Sequence, residues 1–166
     1  MKVSLILLIV AVFTQAQLPA QTPVIGIFTQ TNDAKTTYIA ASYVKFIEMS
    51  GAQVVPIYSF SPTTQVLSLL SKINGVLFPG GTMDLNIKNL WTQNAEAIFN
   101  YAKQQNDQGN KFPIFATCLG IQLVSYLTSN YNNNIISRVH GDDAIVLPIN
   151  LVSDGYIFST FSNSQK

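Results

Sequence analysis

Two kinds of hydrophobic pattern alternate along the chain. Short, nearly all-apolar runs are typical of strands that are covered on both faces, and apolar residues spaced three or four positions apart are typical of helices. The predicted strands are 24–28, 53–57, 75–78 and 112–117, and the predicted helices are 38–50, 63–71, 90–107 and 119–128. Four strand–helix units in series predict an α/β fold, with an open, mostly parallel sheet and helices on both faces.

The pattern is less regular after residue 128. Residues 130–134 are rich in asparagine, which predicts a solvated turn, and the apolar run 144–149 predicts a further strand. Residues 162–166 carry no pattern of their own. Gly51 directly follows the first predicted helix, at the position where a left-handed cap residue is expected.

The first residues have the pattern of a secretory signal peptide. Lys2 is followed by the apolar run 4–13, which fades into small and polar residues. The run is shorter than the roughly 20 apolar residues that a membrane-spanning helix needs. A membrane anchor is the alternative, and the small residues after the run favour cleavage. We therefore expect a signal peptide at residues 1–20 and one domain at residues 21–166, in the secretory pathway and without a membrane partner once the signal is removed.

Charge and cysteine content exclude several classes of partner. Nine basic and eight acidic side chains, without a long run of either sign, give no footprint for nucleic acid or for an anionic membrane. The single cysteine, Cys118, cannot form an internal disulfide, although the secretory route is oxidising. A lone thiol in a secreted chain needs another explanation.

Cys118 lies where catalytic residues are found in parallel sheets. It follows a predicted strand and precedes a predicted helix, where loops and helix N-termini converge. Ala116 and Gly120 flank it two positions away on either side, and a sharp turn that exposes a nucleophile requires such small residues. A helix N-terminus also favours the thiolate, which is the attacking form of cysteine. The alternative is a small, buried, structural cysteine.

A glycine-rich loop follows the third predicted strand. Pro79, Gly80 and Gly81 form this loop, and glycines allow backbone N–H groups to come close to a substrate oxygen. With the N–H of Leu119, the N–H groups of Gly80 and Gly81 would form an oxyanion hole beside Cys118. Taken alone, Pro-Gly-Gly predicts an ordinary turn. The two loops together indicate nucleophilic catalysis.

Several segments resemble the γ-glutamyl hydrolase (folate polyglutamate hydrolase) family. The resemblance rests on Thr-Cys-Leu-Gly at 117–120 with the preceding residues 111–116, on 74–81, and on the first strand and helix at 23–30 and 38–45. It extends from residue 23 to residue 127 and is weaker at 147–150. The Cys-Leu-Gly turn alone indicates only the wider class I glutamine amidotransferase-like superfamily.

The resemblance implies the fold and the chemistry of that family. The activity would be hydrolysis of γ-linked glutamate from folyl- or antifolyl-poly-γ-glutamates, in a lysosome, a vacuole or a secretion. Cys118 would be the nucleophile and would form an acyl-enzyme thioester, while Gly80, Gly81 and Leu119 would hold the oxyanion. The resemblance implies no cofactor and no metal.

The general base of the family has no counterpart in this sequence. The family places a histidine on a later strand, in a Trp-His-Pro-Glu-like context, where it takes the proton of the cysteine. The single histidine here, His140, lies in a polar stretch between Arg138 and Asp142 that does not match, and we predict a surface residue. We therefore expect a partial domain that is truncated on its C-terminal side.

Three interpretations follow from this expectation. The sequence is an incomplete copy of an active γ-glutamyl hydrolase, a non-catalytic paralogue that binds γ-glutamyl ligands, or a structural protein with an inert thiol. The sequence leaves the oligomeric state open, but missing strands would expose a sheet edge, and exposed edges favour association.

Overall fold

The computed structural model of the protein describes residues 22–31 and 36–137. The predicted signal peptide, Arg138, His140 and the strand predicted at 144–149 lie outside these residues. The described residues up to Ile136 belong to one compact unit.

Four strands form a parallel sheet. They are β1 (Val24–Phe28), β4 (Gln53–Ile57), β5 (Gly75–Phe78) and β6 (Ile114–Ala116), in the order β4-β1-β5-β6. Two shorter strands, β2 (Gln30–Thr31) and β3 (Thr37–Tyr38), pair with each other in antiparallel orientation. Pro56 has no N–H to donate, and it is tolerated because β4 pairs on one side only within the described sheet.

Helices cover both faces of this sheet. They are α1 (Ala41–Met49), α2 (Thr63–Leu70), α3 (Leu90–Asp107) and α4 (Leu119–Thr128). Helices α2, α3 and α4 bury apolar side chains against Phe28 and Phe78 on one face, and Ile47 of α1 packs near Ile27 and Leu77 on the other. The predicted fold class is confirmed, and it agrees with a class I glutamine amidotransferase-like fold. No helix in the described part of the chain is both long and apolar enough to span a membrane.

The structure corrects three predicted boundaries. The first helix begins at Ala41 instead of Tyr38, because Thr37–Tyr38 pairs with β2. The strand predicted at 112–117 covers only Ile114–Ala116; its start is later because the Phe112 N–H donates to Asn106 Oδ1 and Pro113 has no N–H. The predicted polar turn ends in a short 3₁₀ helix, Asn133–Ile135. Gly51 has the left-handed conformation expected of a helix cap, with φ of 85°.

Trp91 connects α3 to the carboxyl end of β1 through a ring contact and a hydrogen bond. Its buried ring lies 5.3 Å from the ring of Phe28, which makes an edge-to-face contact with Phe78 at 5.6 Å. Its Nε1–H donates to the carbonyl oxygen of Thr29 at 3.1 Å. The residue that follows β1 is therefore held from two directions, by the sheet and by the helix.

The strand order reverses at β1. The chain passes from β1 to β4 on one side of it and then returns to β5 on the other side. In open α/β sheets, ligands bind in the crevice at the carboxyl ends of the strands where such a reversal occurs. The residues after β1 and after β5 therefore border the position where a binding site is expected.

Candidate active site

Cys118 occupies a strained turn between β6 and α4. Its φ of 50° and ψ of −113° lie in a region that residues with a side chain rarely adopt. Such a conformation costs of order 1–3 kcal/mol and persists only where the surrounding structure enforces it. The side chain is exposed, so a buried structural cysteine is excluded. The sharp strand-to-helix turn at residues 116–120, the nucleophile elbow, is present in the structure.

Gly120 is the position that lets the elbow close against the sheet. A Cβ at this glycine would overlap the carbonyl oxygen of Phe78, the last residue of β5. On the other side of the cysteine, the Thr117 N–H donates to the same carbonyl oxygen at 3.1 Å. The requirement for a small residue two positions after Cys118 therefore comes from the close approach of α4 to β5.

The glycine loop at residues 79–81 lies beside the cysteine. A Cβ placed on Gly80 would stand 3.0 Å from Cys118 Cβ and 3.5 Å from its Sγ. Gly80 and Cys118 thus touch across the ends of β5 and β6, which are neighbours in the sheet. The structure brings together the two loops that the sequence analysis selected.

The three N–H groups predicted to form the oxyanion hole differ in their hydrogen bonding. The Leu119 N–H belongs to the first turn of α4, where backbone donors have no partner in the helix. Among the described residues, neither this group nor the Gly81 N–H has an acceptor. The Gly80 N–H donates to Tyr43 Oη at 2.8 Å. An oxygen bound at this site would have to compete with Tyr43 for that donor.

Tyr43 is a site residue that the sequence analysis missed. Its hydroxyl oxygen accepts hydrogen bonds from the Gly80 N–H and from Thr117 Oγ1, the latter at 3.1 Å. Both lone pairs are then occupied, so the Tyr43 O–H is left to act as a donor. In the sequence, Tyr43 belongs to the apolar face of the first helix, and nothing distinguishes it from a core residue.

An aromatic cleft adjoins the cysteine. It has a volume of about 350 Å³ and is lined by Ser42, Tyr43, Phe46, Phe115 and Thr117. The rings of Phe46 and Phe115 lie 5.6 Å apart, and both are exposed. Thr117 directly precedes Cys118, so a ligand in this cleft would place a flat apolar group next to the nucleophile.

Gln30 is the second residue that the sequence did not single out. It is the first residue of β2, two positions after the end of β1, and is 3% exposed, with its carboxamide against Gly81. Within residues 22–31 and 36–137, neither its Oε1 nor its Nε2 has a hydrogen-bond partner.

The described residues give no indication of a metal centre. They contain no group of three or more histidine, cysteine, aspartate or glutamate side chains arranged to hold a metal ion. His140 lies outside them, so its predicted exposure stays a prediction.

A parallel α/β sheet with an exposed cysteine on a strand-to-helix elbow, next to a glycine loop, defines a class of proteins that act by nucleophilic attack of a thiolate. The sequence profile of the peptidase C26 family matches residues 23–140. The chain therefore belongs to the peptidase C26 family.

Curated relatives agree with this family. The chain is similar to gamma-glutamyl hydrolase 1 of Arabidopsis thaliana, with 36% identity over 84% of this chain and 42% of the relative. It is similar to the gamma-glutamyl hydrolase of Rattus norvegicus, with 38% identity over 85% of this chain and 45% of the relative. The Homo sapiens gamma-glutamyl hydrolase is 40% identical over 66% of this chain and 36% of the relative. The matches thus span less than half of the length of these relatives.

Proposed function

We propose that Cys118 is the nucleophile of a γ-glutamyl hydrolase that cleaves γ-linked glutamate from folyl-poly-γ-glutamates. One observation carries this proposal: an exposed cysteine in a strained elbow conformation touches a glycine loop across two neighbouring strand ends. The relatives are named as gamma-glutamyl hydrolases, and this name supplies the γ-glutamyl bond as the target. Secretory targeting, inferred from residues 1–20, belongs to the same proposal.

The reaction follows from the positions of the thiol and the backbone donors. Cys118 Sγ attacks the γ-carbonyl carbon, and the N–H groups of Leu119, Gly81 and Gly80 stabilise the oxyanion that forms. The C–N bond then breaks, the proton of the thiol passes to the departing nitrogen, the glutamate leaves as an amine, and a thioester remains on Cys118. Water hydrolyses the thioester to a γ-carboxylate and restores the thiol.

The reaction needs oxyanion donors and an acceptor for the proton of the thiol. Each correctly placed oxyanion donor accelerates such a reaction by about 10²–10³-fold. The proton of the thiol needs an acceptor, and residues 22–31 and 36–137 contain no histidine. The described residues thus supply the nucleophile and the oxyanion donors.

The aromatic cleft supports a folyl group on the acyl side of the bond. Folates carry flat aromatic rings, and such rings stack on aromatic side chains. Phe46 and Phe115 offer two exposed rings beside the elbow. A γ-glutamyl compound without rings would leave this apolar surface in contact with water.

The test is hydrolysis of a folyl-di-γ-glutamate at mildly acidic pH, with chromatographic measurement of released glutamate. We expect release by the wild-type chain and a fall of about 10³-fold or more for Cys118→Ala, because the attacking atom is lost. Ser125→Ala, a change of similar size in α4, serves as the control and should leave the rate unchanged. Equal rates for wild type and Cys118→Ala would disprove the nucleophilic role.

Binding without turnover is the second candidate function. The observation that supports it is His140, the single histidine, whose sequence context is unlike that of the family's catalytic histidine. Titration calorimetry with the same folyl-di-γ-glutamate distinguishes the two: saturable binding without glutamate release supports a binding protein, and release supports a hydrolase.

A further inference from the structure

The side chain of Gln30 is buried with its hydrogen-bonding capacity unused. A carboxamide has two N–H donors and an oxygen acceptor, yet none of these finds a partner in the part of the chain that the structure describes. Buried polar groups are almost always hydrogen-bonded, because leaving water without a new partner is unfavourable. A buried polar group without a partner therefore calls for an explanation, and a role in catalysis is one.

The carboxamide lies directly against the glycine loop. If Gly81 carried a Cβ, that atom would be 2.5 Å from Gln30 Oε1 and 2.9 Å from its Cδ. Contacts hold the residues on both sides of Gln30: the Thr29 carbonyl accepts from Trp91 Nε1, and the Thr31 side chain donates from Oγ1 to Met83 Sδ at 3.0 Å. These contacts fix the position from which the Gln30 side chain reaches the loop.

The glycine loop also has a donor that is engaged elsewhere. The Gly80 N–H donates to Tyr43 Oη, and it must be released before it can bind a substrate oxygen. Turning the peptide between Pro79 and Gly80, which carries this N–H, would release it, and Gly80 permits such a turn at little steric cost. The backbone groups of the rearranged loop would then need new partners, and the unpaired Gln30 amide lies against the same loop.

We propose that Gln30 is a positioning residue for the oxyanion hole. In the substrate-bound protein, its carboxamide hydrogen-bonds the backbone of the glycine loop at residues 79–81 and holds the Gly80 N–H toward the substrate oxygen. Gln30 itself does not touch the substrate, because its amide lies beneath the loop. This inference rests on the proposed function of Cys118.

The test compares two reagents on the full chain and on Gln30→Met, which keeps the length of the side chain and removes the amide. The first reagent is 6-diazo-5-oxo-L-norleucine, a glutamine analogue whose γ-ketone oxygen takes the place of the substrate carbonyl oxygen. It loses N₂ and leaves a thioether on Cys118, which mass spectrometry detects. The second is iodoacetamide, which alkylates the thiol by simple displacement. Gln104→Met, at an exposed position of α3, is the matched control.

We expect Gln30→Met to slow labelling by the diazoketone by roughly 10- to 100-fold, the range for a misplaced oxyanion donor, and to leave iodoacetamide labelling unchanged. Its melting temperature should equal or exceed that of the wild type, because the amide makes no bond in the free protein. Gln104→Met should change neither rate.

The outcomes separate this inference from the proposed function. Equal diazoketone rates in wild type and Gln30→Met would overturn the inference alone. A lower melting temperature or failure to fold would overturn it too, since the amide would then have a structural role. A wild-type chain that the diazoketone does not label at Cys118 would overturn the proposed function and the inference together.

Discussion

At Gly120, the backbone of α4 passes so close to β5 that a methyl group would overlap the Phe78 carbonyl. The methyl group would be attached directly to the helix backbone, and the atom it would meet is a backbone oxygen. Neither can move aside as a flexible side chain would. We expect Gly120→Ala to lower the free energy of unfolding by about 2–3 kcal/mol, as overpacking does in a close-packed region. Chemical denaturation measures this quantity.

Gly51→Ala is the matched control for this prediction. A Cβ at Gly51 would meet nothing within 4 Å, but its φ of 85° is unfavourable for alanine. The expected loss is about 1 kcal/mol, from backbone conformation alone. Equal losses in the two variants would show that close approach at Gly120 is not the deciding factor.

Local motifs at the residue scale were predictable, and roles that depend on distant contacts were not. Cys118, Gly80 and Gly120 were found because small residues next to a nucleophile form a short sequence pattern. Tyr43 was missed because its partner Gly80 is 37 positions away and its spacing is that of a core residue. Gln30 was missed because a glutamine after a strand has no pattern of its own until Gly81 is placed against it.

At the scale of elements, α3 fixes the connection between β4 and α2. Fully buried Asn94 donates from Nδ2 to the carbonyls of Ser59 and Ser61, both at 2.8 Å, and accepts from Thr63 Oγ1 at 2.7 Å. The Asn94 side chain thus supplies hydrogen bonds to an irregular segment, whose backbone groups have no neighbouring strand to pair with. The polar residue therefore belongs to the core of the fold.

We expect Asn94→Ala to lower the free energy of unfolding by about 2–4 kcal/mol, because the buried carbonyl of Ser59 loses its donor. Asn100→Ala, on the exposed side of the same helix, should change it by less than about 0.5 kcal/mol. Urea denaturation of both variants measures the difference. Similar losses would mean that helix propensity, and not the buried network, sets the stability.

Element boundaries were predictable where one local rule dominates. The bounds of α3 and α4 agree with the predicted ranges: apolar spacing in α4 continues to Leu127, and α3 ends two residues before Gly109, which has a left-handed φ of 84°. The start of α1 was wrong, because Thr37–Tyr38 pairs with residues that the periodicity does not indicate. Strand β6 was shorter than predicted because a side chain, Asn106, captures the Phe112 N–H.

At the scale of the whole molecule, β6 is paired on one side only in the described sheet. Phe115 of β6 is 44% exposed and faces the exposed ring of Phe46. A strand that has no second neighbour among residues 22–31 and 36–137, beside exposed aromatic rings, favours association between copies. The 166-residue chain should therefore form larger species as its concentration rises.

We expect Phe115→Asp to reduce this association, because a charge on the strand opposes burial of its face. Phe60→Asp is the matched control: Phe60 is also 44% exposed, but it lies in the connection between β4 and α2. Sedimentation velocity over a range of concentrations measures the change. An equal effect of both substitutions would show that surface hydrophobicity in general, and not the β6 edge, drives association.

The contacts among Tyr43, Gly80, Thr117 and Cys118 have a consequence for following folding. Tyr43 and Thr117 are 74 positions apart, so the surroundings of the thiol form only when α1 has docked on the sheet and β6 has paired with β5. The single thiol of the chain therefore reports on this step. Its reaction with a chromogenic disulfide, followed in time after dilution from denaturant, records the closure of long-range structure without any engineered label.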